Sequence, residues 1–459
     1  MRVAVVGGGI AGLAAARRLE TLLPDAELTL FEREATLGGK VVTEHAAGFL
    51  VEGGPDSFLS RKERGPELCE EVGLGDELVG RRPENARTYV RRHGELHPLP
   101  AGLTGLVPTD LDALVDNPLL SPEGREQLAA EVDLPPAPPG GDESIASFFT
   151  RRLGREAYEN LVEPLTTGIY AGDGDLLSLR ATFPGLPSLE LEHGSVIRGL
   201  LAQPAPMGGG RPPFVALRSG IGTLVSALVD GLRLTTIRTG AAVAAIERGP
   251  DGYVLPLPGG AVQADGVVLA VPAFASAELV ASLDPDLAAV HGEIPYASSA
   301  LVSLGFRDED VPQPLDGYGY VVPRTERSDV LACSWSSSKW EGRAPEGSTL
   351  IRIHTGRYGG RDVCAEPDDE LLALAREEVR LLGIAADPAL VRVHRWPRSM
   401  PQYVIGHVER LERIEAALER HPGVAVAGAA YRGVGVPDCI GSGEQAAESI
   451  ARALAPVPG

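Results

Sequence analysis

The spacing Gly7-x-Gly9-x-x-Gly12, set directly behind the apolar run Val3–Val6, constrains this chain more than any other feature. A short continuous apolar run suits a parallel strand buried on both faces. Gly7 permits the tight turn out of that strand, and Gly9 lets backbone approach a pyrophosphate. Gly12 lets the following helix pack closely on the strand. Leu13 to Leu23 has helical composition and ends near Pro24, and Glu27 to Glu32 alternates as a second strand that delivers Glu32 at its end, 20 residues beyond Gly12. An acid at that distance accepts hydrogen bonds from the ribose hydroxyls of an adenosine. The helix N-terminus, reached through Gly8, Gly9, Ile10 and Ala11, offers free N–H groups and a partial positive charge to phosphates. A β-α-β dinucleotide-binding unit is therefore expected at the start of the chain.

The chain has 459 residues, of which 44% are hydrophobic, so more than one lobe is expected. Its 42 Lys and Arg stand against 63 Asp and Glu, a formal charge of −21. That balance argues against a nucleic-acid partner. It also means that an anionic ligand would need local Arg or Lys. Cys69, Cys333, Cys364 and Cys439 are scattered, with no CxxC pair and no metal-ligand spacing, so free thiols in a reducing cytoplasm are expected and no metal. The chain opens on a functional strand rather than a leader, and the longest apolar stretch, 266–283, is broken by Pro272 and Glu278.

Two Pro- and Gly-rich segments, Leu134–Asp142 and Gln203–Pro213, are too irregular for helix or strand. Between them Ile145–Leu165 reads as helical. Gly220–Leu232 reads as a helix, Ala241–Glu247 and Val267–Val271 as strands, Val424–Ala427 as a strand, and a last helix runs from about Gly443 to Leu454. Units of one nucleotide-binding sheet thus recur at the start, middle and end. The expected organisation is α/β: a Rossmann-like FAD-binding domain in three parts (1–80, 214–285, 395–459), interleaved with an α+β substrate-binding domain and a helical lobe (81–213, 286–394).

FAD rather than NAD is indicated further along. Gly38-Gly39-Lys40 makes a turn, Phe49 to Phe58 carries Gly53-Gly54-Pro55-Asp56-Ser57, and Val424–Gly428 is followed by Gly433-Val434-Gly435-Val436-Pro437-Asp438. Together with the N-terminal unit these pieces resemble the flavin-containing amine oxidase superfamily across nearly the whole chain. Pro164–Asp173 (PLTTGIYAGD), Leu177-Ser178-Leu179, Leu96–Pro100 (LHPLP), Pro401-Gln402-Tyr403 and Gly435–Ile440 resemble its porphyrinogen oxidases. The resemblance implies that Gly7–Gly12, Glu32, Arg33 and Lys40 hold the pyrophosphate and adenosine of a non-covalent FAD. It implies that Gly54, Pro55, Asp56 and Ser57 line its flavin side. Val243 would contact the adenine region, Trp396 would flank the flavin, and Val434, Gly435 and Val436 would meet the isoalloxazine. Cys439 is not read as an attachment site.

Such an enzyme acts on CH–CH bonds in haem biosynthesis, removing six electrons from a porphyrinogen in three flavin cycles, with dioxygen as oxidant and hydrogen peroxide as product. No acid/base constellation is required, and no catalytic residue is assigned. The substrate's propionates call for cations. Arg87 lies where the resemblance places a propionate-contacting region, with Lys339 and Arg352 as other candidates; Arg91 and Arg92, also considered, read rather as solvated surface charges. His97 and His407 read as structural. Leu96–Pro122 resembles the monoderm bacterial branch that acts on coproporphyrinogen III, with protoporphyrinogen IX as the alternative. Two rivals stand beside this reading: an amine or carotenoid oxidase, and a non-redox binding protein of FAD fold. Peripheral membrane contact and transient contact with another haem-pathway enzyme are compatible with the sequence.

Overall fold

The computed structural model describes residues 1–137, 140–203 and 210–455. Parts of the two Pro/Gly-rich segments, at 138–139 and 204–209, lie outside the described residues. Val3 to Val6 are all buried and lie at the centre of a five-stranded parallel sheet. Its order is Thr235–Arg238, Glu27–Phe31, Arg2–Val6, Gly266–Leu269, Val424–Val426. Its neighbours in space are thus far apart in sequence: Val5 pairs with Leu30 on one side and Val268 on the other, and Val268 pairs with Ala425. Burial on both faces explains why Val3–Val6 and Val267–Leu269 read as unbroken apolar runs, whereas Glu27–Phe31 and the edge strand Thr235–Arg238 keep polar residues.

The helix Ile10–Leu22 covers one face and packs against the C-terminal helix Val436–Leu454. That last helix begins well before the expected Gly443. Pro437 in the first turn costs no hydrogen bond there, since the first N–H groups have no intrahelical partner. Gly443 sits mid-helix because a Cβ would stand 2.1 Å from the Ala11 carbonyl oxygen, so its absence sets the close approach of the two helices.

A seven-stranded sheet forms the second layer, in the order Leu390–Pro401, Tyr296–Arg307, Ser348–Thr355, Val330–Trp335, Gly319–Val321, Tyr89–Arg92, Glu95–Pro98. The strand Leu390–Pro401 runs straight across the expected boundary at 394/395. Helices between Pro122 and Ala202 make the helical lobe. The stretch expected to be helical over Ile145–Leu165 is interrupted at Gly154, whose φ of 88° ends one helix, and by a π-turn over Tyr158–Val162; the helix then continues to Tyr170. Ala241–Ile246 is not a strand. Its N–H groups bond in turn to Glu32, Pro256 and Leu279, three different elements, so no ladder forms, and the strand starts only at Glu247.

Candidate active site

A cavity of about 2650 Å³ opens at the C-terminal ends of the parallel strands and runs under the seven-stranded sheet toward the helical lobe. Ligands of open α/β sheets bind at this edge.

At one end, Gly7 turns with φ 108°, and a Cβ on Gly12 would lie 1.9 Å from the Gly7 carbonyl oxygen. Both glycines are required by packing within the protein. Gly9 is different. Its backbone is extended (φ −72°, ψ 178°), and a Cβ there would meet no protein atom within 4 Å, so the space above it is held open on the cavity side. The helix that follows has neither a side-chain cap nor an acid in its first turn, so its N–H groups are left for a ligand. Lys40 lines the same region and has no carboxylate partner among the described residues; burial lowers its pKa. An unpaired, shielded cation beside a bare helix N-terminus and a glycine whose Cβ position no protein atom crowds fits the diphosphate of FAD.

Glu32 is fixed by its own backbone: one carboxylate oxygen accepts the Gly8 N–H at 2.6 Å and the other the Glu34 N–H at 2.8 Å. Val243 also lines the cavity. Arg33 lines it from the rim, with an exposed side chain paired to Glu34.

Gly54 to Ser57 form the next wall. Trp396 donates its indole N–H to the Gly53 carbonyl at 2.7 Å, and Arg352 donates to the Gly54 carbonyl at 2.7 Å. Asp56 receives Lys339 at 2.9 Å, the Trp340 indole at 3.2 Å and the Ser57 hydroxyl at 2.7 Å, with Arg352 at 3.5 Å. Burial opposes ionisation of Asp56, but Lys339 and Arg352 outweigh it and hold the carboxyl well below its ordinary range. His354, beside this cluster, is pushed down to about 3 by burial and then by Arg352, so it is neutral at physiological pH.

The wall opposite comes from the C-terminal turn. Val434, Gly435 and Val436 line the cavity at the N-terminus of the last helix. Asp438 accepts the Gly435 N–H at 3.0 Å and is paired with Lys62. The Tyr403 hydroxyl accepts the Gly433 N–H at 2.8 Å and donates to the Ala429 carbonyl at 2.7 Å, which clamps the turn from below. Tyr403→Phe should cost roughly 1–3 kcal/mol, the usual penalty for stranding a buried donor. Urea unfolding measures it, and an unchanged midpoint would remove the clamp. His407 stacks on Tyr403 with centroids 4.0 Å apart and bonds to the Tyr431 carbonyl. Burial lowers its pKa to about 4, which keeps it a neutral structural group.

Gly7, Gly9, Ile10, Ala11, Glu32, Arg33, Lys40, Gly54–Ser57, Val243, Trp396 and Val434–Val436 thus share one cavity; Gly8 and Gly12 lie just behind its wall. Arg87 does not reach it. Its guanidinium is exposed and paired with Asp316 at 2.5 Å. Arg91 is paired in the core with Glu378, and Arg92 donates to the Leu119 carbonyl. Lys339 and Arg352 do line the cavity. His97 lies outside it, 4.0 Å from Glu95. The pairing of Lys62 with Asp438 was not legible in the sequence, since 376 residues separate them.

The profile of the flavin-containing amine oxidoreductases matches residues 10–451. The chain belongs to that family. Its cofactor is FAD, in keeping with the cradle just described. Curated relatives align along nearly the whole length. A coproporphyrinogen III oxidase of Bacillus subtilis is 36% identical, covering 97% of this chain and 96% of its own. One of Staphylococcus aureus is 34% identical, covering 98% of each. A chloroplastic protoporphyrinogen oxidase of spinach is 31% identical over 97% of this chain and 83% of its own. Among solved structures, a protein of Exiguobacterium sp. 255-15 described as a protoporphyrinogen oxidase superposes with a TM-score of 0.88 at 34% identity, covering 98% of both chains. Within the amine oxidoreductases the chain therefore falls in the porphyrinogen oxidase branch. Among the described residues no helix is long and apolar enough to cross a membrane.

Proposed function

We propose that this protein oxidises coproporphyrinogen III to coproporphyrin III, with dioxygen as the final acceptor. The observation that carries the choice of substrate is charge. Twelve Lys and Arg but only six Asp and Glu line the cavity, and Lys40, Arg61, Arg81 and Arg398 among them have no ion-pair partner among the described residues, in a chain whose formal charge is −21. A local excess of cations against the global field focuses polyanions into the cleft. A macrocycle with four propionates uses more of that excess than one with two. The names of the Bacillus and Staphylococcus relatives point the same way; those of the spinach and Exiguobacterium proteins support protoporphyrinogen IX as the second reading.

Bound FAD supplies the two-electron oxidation, repeated three times for each macrocycle, and its reoxidation by dioxygen yields hydrogen peroxide. The chain supplies binding and orientation. Gly9, Lys40 and the helix starting at Ile10 hold the diphosphate, and Glu32 the ribose. Trp396 and the Gly53–Ser57 segment, bonded to one another, fix one wall of the reaction chamber, and the clamped turn at Val434–Val436 fixes the other. Asp56 and Asp438 are each committed to a lysine, and His354 and His407 are neutral. These groups serve as scaffold rather than as proton carriers.

Aerobic turnover tests the reading. Coproporphyrin fluorescence should appear with about three dioxygen molecules consumed per porphyrin, half of which catalase returns. Fluorescence rising no faster than in a flavin-free control would contradict it.

A further inference from the structure

The geometry points to Arg81 as the residue that grips a carboxylate of the porphyrinogen, from a slot between two aromatic rings. This inference rests on the porphyrinogen reading above and assigns the anion contact for which Arg87 stands too far outside.

The Arg81 guanidinium carbon lies 4.5 Å from the centroid of Phe214 and 4.4 Å from that of Tyr318. The two rings come from different layers. Phe214 sits on a strand paired with Leu59 in the flavin-binding half, and Tyr318 is held in the substrate-side half. The slot is rigid. The Tyr318 hydroxyl donates to the Arg82 carbonyl at 2.9 Å, its N–H to the Arg87 carbonyl at 2.8 Å, and its carbonyl accepts from Trp335 at 3.1 Å. A guanidinium whose carbon lies over two aromatic rings is held by them without spending its N–H groups, which stay available to match a carboxylate. Arg81 lines the cavity, and among the described residues no carboxylate lies within ion-pair distance of it.

The acid whose charge acts on Arg81 is Asp56, already committed to Lys339, Trp340 and Ser57. Four cations, Arg81, Lys339, Arg343 and Arg352, thus stand against two carboxylates, Asp56 and Glu52, in this cluster. Shielded positive charge in excess is costly unless an anion completes it. The anionic part of FAD is its diphosphate, for which the Gly9 cradle and Lys40 are the fitted site. The remaining anion that the proposed reaction brings into the cavity is a propionate of the macrocycle.

The test compares FAD-loaded wild type, Arg81→Gln and Arg81→Lys, with Arg307→Gln as control, an exposed cation paired with Glu309 and Asp310. Binding of coproporphyrin III is followed by fluorescence, and its tetramethyl ester in matched detergent reports on the ring without its charges. The flavin spectrum and melting temperature report on the fold. Arg81→Gln should weaken coproporphyrin III binding roughly 30-fold, the scale of a lost charge-assisted contact. Arg81→Lys should recover only part of it, because an ammonium does not fill a planar slot. KM should rise in step while kcat stays within about 3-fold, and ester binding should not change. Coproporphyrin III binding by Arg81→Gln within about 2-fold of wild type would overturn the assignment, as would an equal loss for the ester. A wild type that holds FAD but binds no porphyrin would overturn the porphyrinogen reading and this assignment with it.

Discussion

Gly9→Val should give a folded, colourless protein. The backbone at Gly9 is extended, a region that valine favours, and a Cβ there meets nothing in the protein within 4 Å. The new side chain instead fills the space kept for the diphosphate, against the bare N-terminus of the helix Ile10–Leu22. Copurified FAD should fall below about a tenth of stoichiometric, while the apo forms of variant and wild type melt together; only the stabilisation that FAD itself gives is lost. Gly12→Val is the contrasting case. Its Cβ would stand 1.9 Å from the Gly7 carbonyl oxygen, so helix and strand must separate and the fold itself should fail. Stoichiometric FAD in Gly9→Val would show that the cradle is elsewhere.

The second large effect is expected at Asp56. Replacing it with Asn removes the carboxylate that Lys339 and Arg352 pair with and that acts on Arg81, while the size of the side chain is kept. Removing one partner of a buried ion pair typically costs about 3–5 kcal/mol, because the other charge is left uncompensated. The pH dependence carries the signature. The folded pKa of Asp56 lies below its unfolded value, so its contribution is complete above the unfolded carboxylate range and is lost as pH falls through it toward the folded value. The stability gap between wild type and Asp56→Asn should therefore be flat above about pH 5 and shrink below about pH 4. Adding Lys339→Met should recover part of the loss. A gap under about 1 kcal/mol at pH 7, or one that acid does not narrow, would mean the cluster is not held by charge.

Much of this was legible in the sequence for a physical reason. The turn Gly7–Gly12 and the acid Glu32 are local, and glycine spacing reports directly on which backbone atoms must come close. The buried parallel strands announced themselves as apolar runs. Boundaries set by long-range pairing were harder to read. Ala241–Ile246 has strand-like residues, but its N–H groups are divided among three neighbours. The last helix starts at Val436, ahead of the expected Gly443, and Gly443 lies within it for its close contact with Ala11.

The cations of the site were the least legible part. Arg81, Arg82, Arg87, Arg91 and Arg92 look alike in sequence. One is stacked in a slot, two are tied to acids more than 200 residues away, and only the pairing of two sheets distinguishes them. No local pattern could rank Arg81 above Arg87. Asp56, by contrast, was visible as part of a glycine-rich turn. Its charge role depends on Lys339 and Arg352, which a different layer of the molecule brings in.

On the proposed function, the bound flavin takes electrons from a tetracarboxylate macrocycle. The most direct measurement mixes the yellow protein anaerobically with coproporphyrinogen III or with protoporphyrinogen IX and follows flavin bleaching by stopped-flow absorbance. The cation-rich cavity predicts bleaching by both, with coproporphyrinogen III the faster. Faster bleaching by protoporphyrinogen IX would contradict the substrate assignment, and bleaching by neither would contradict porphyrinogen oxidation itself.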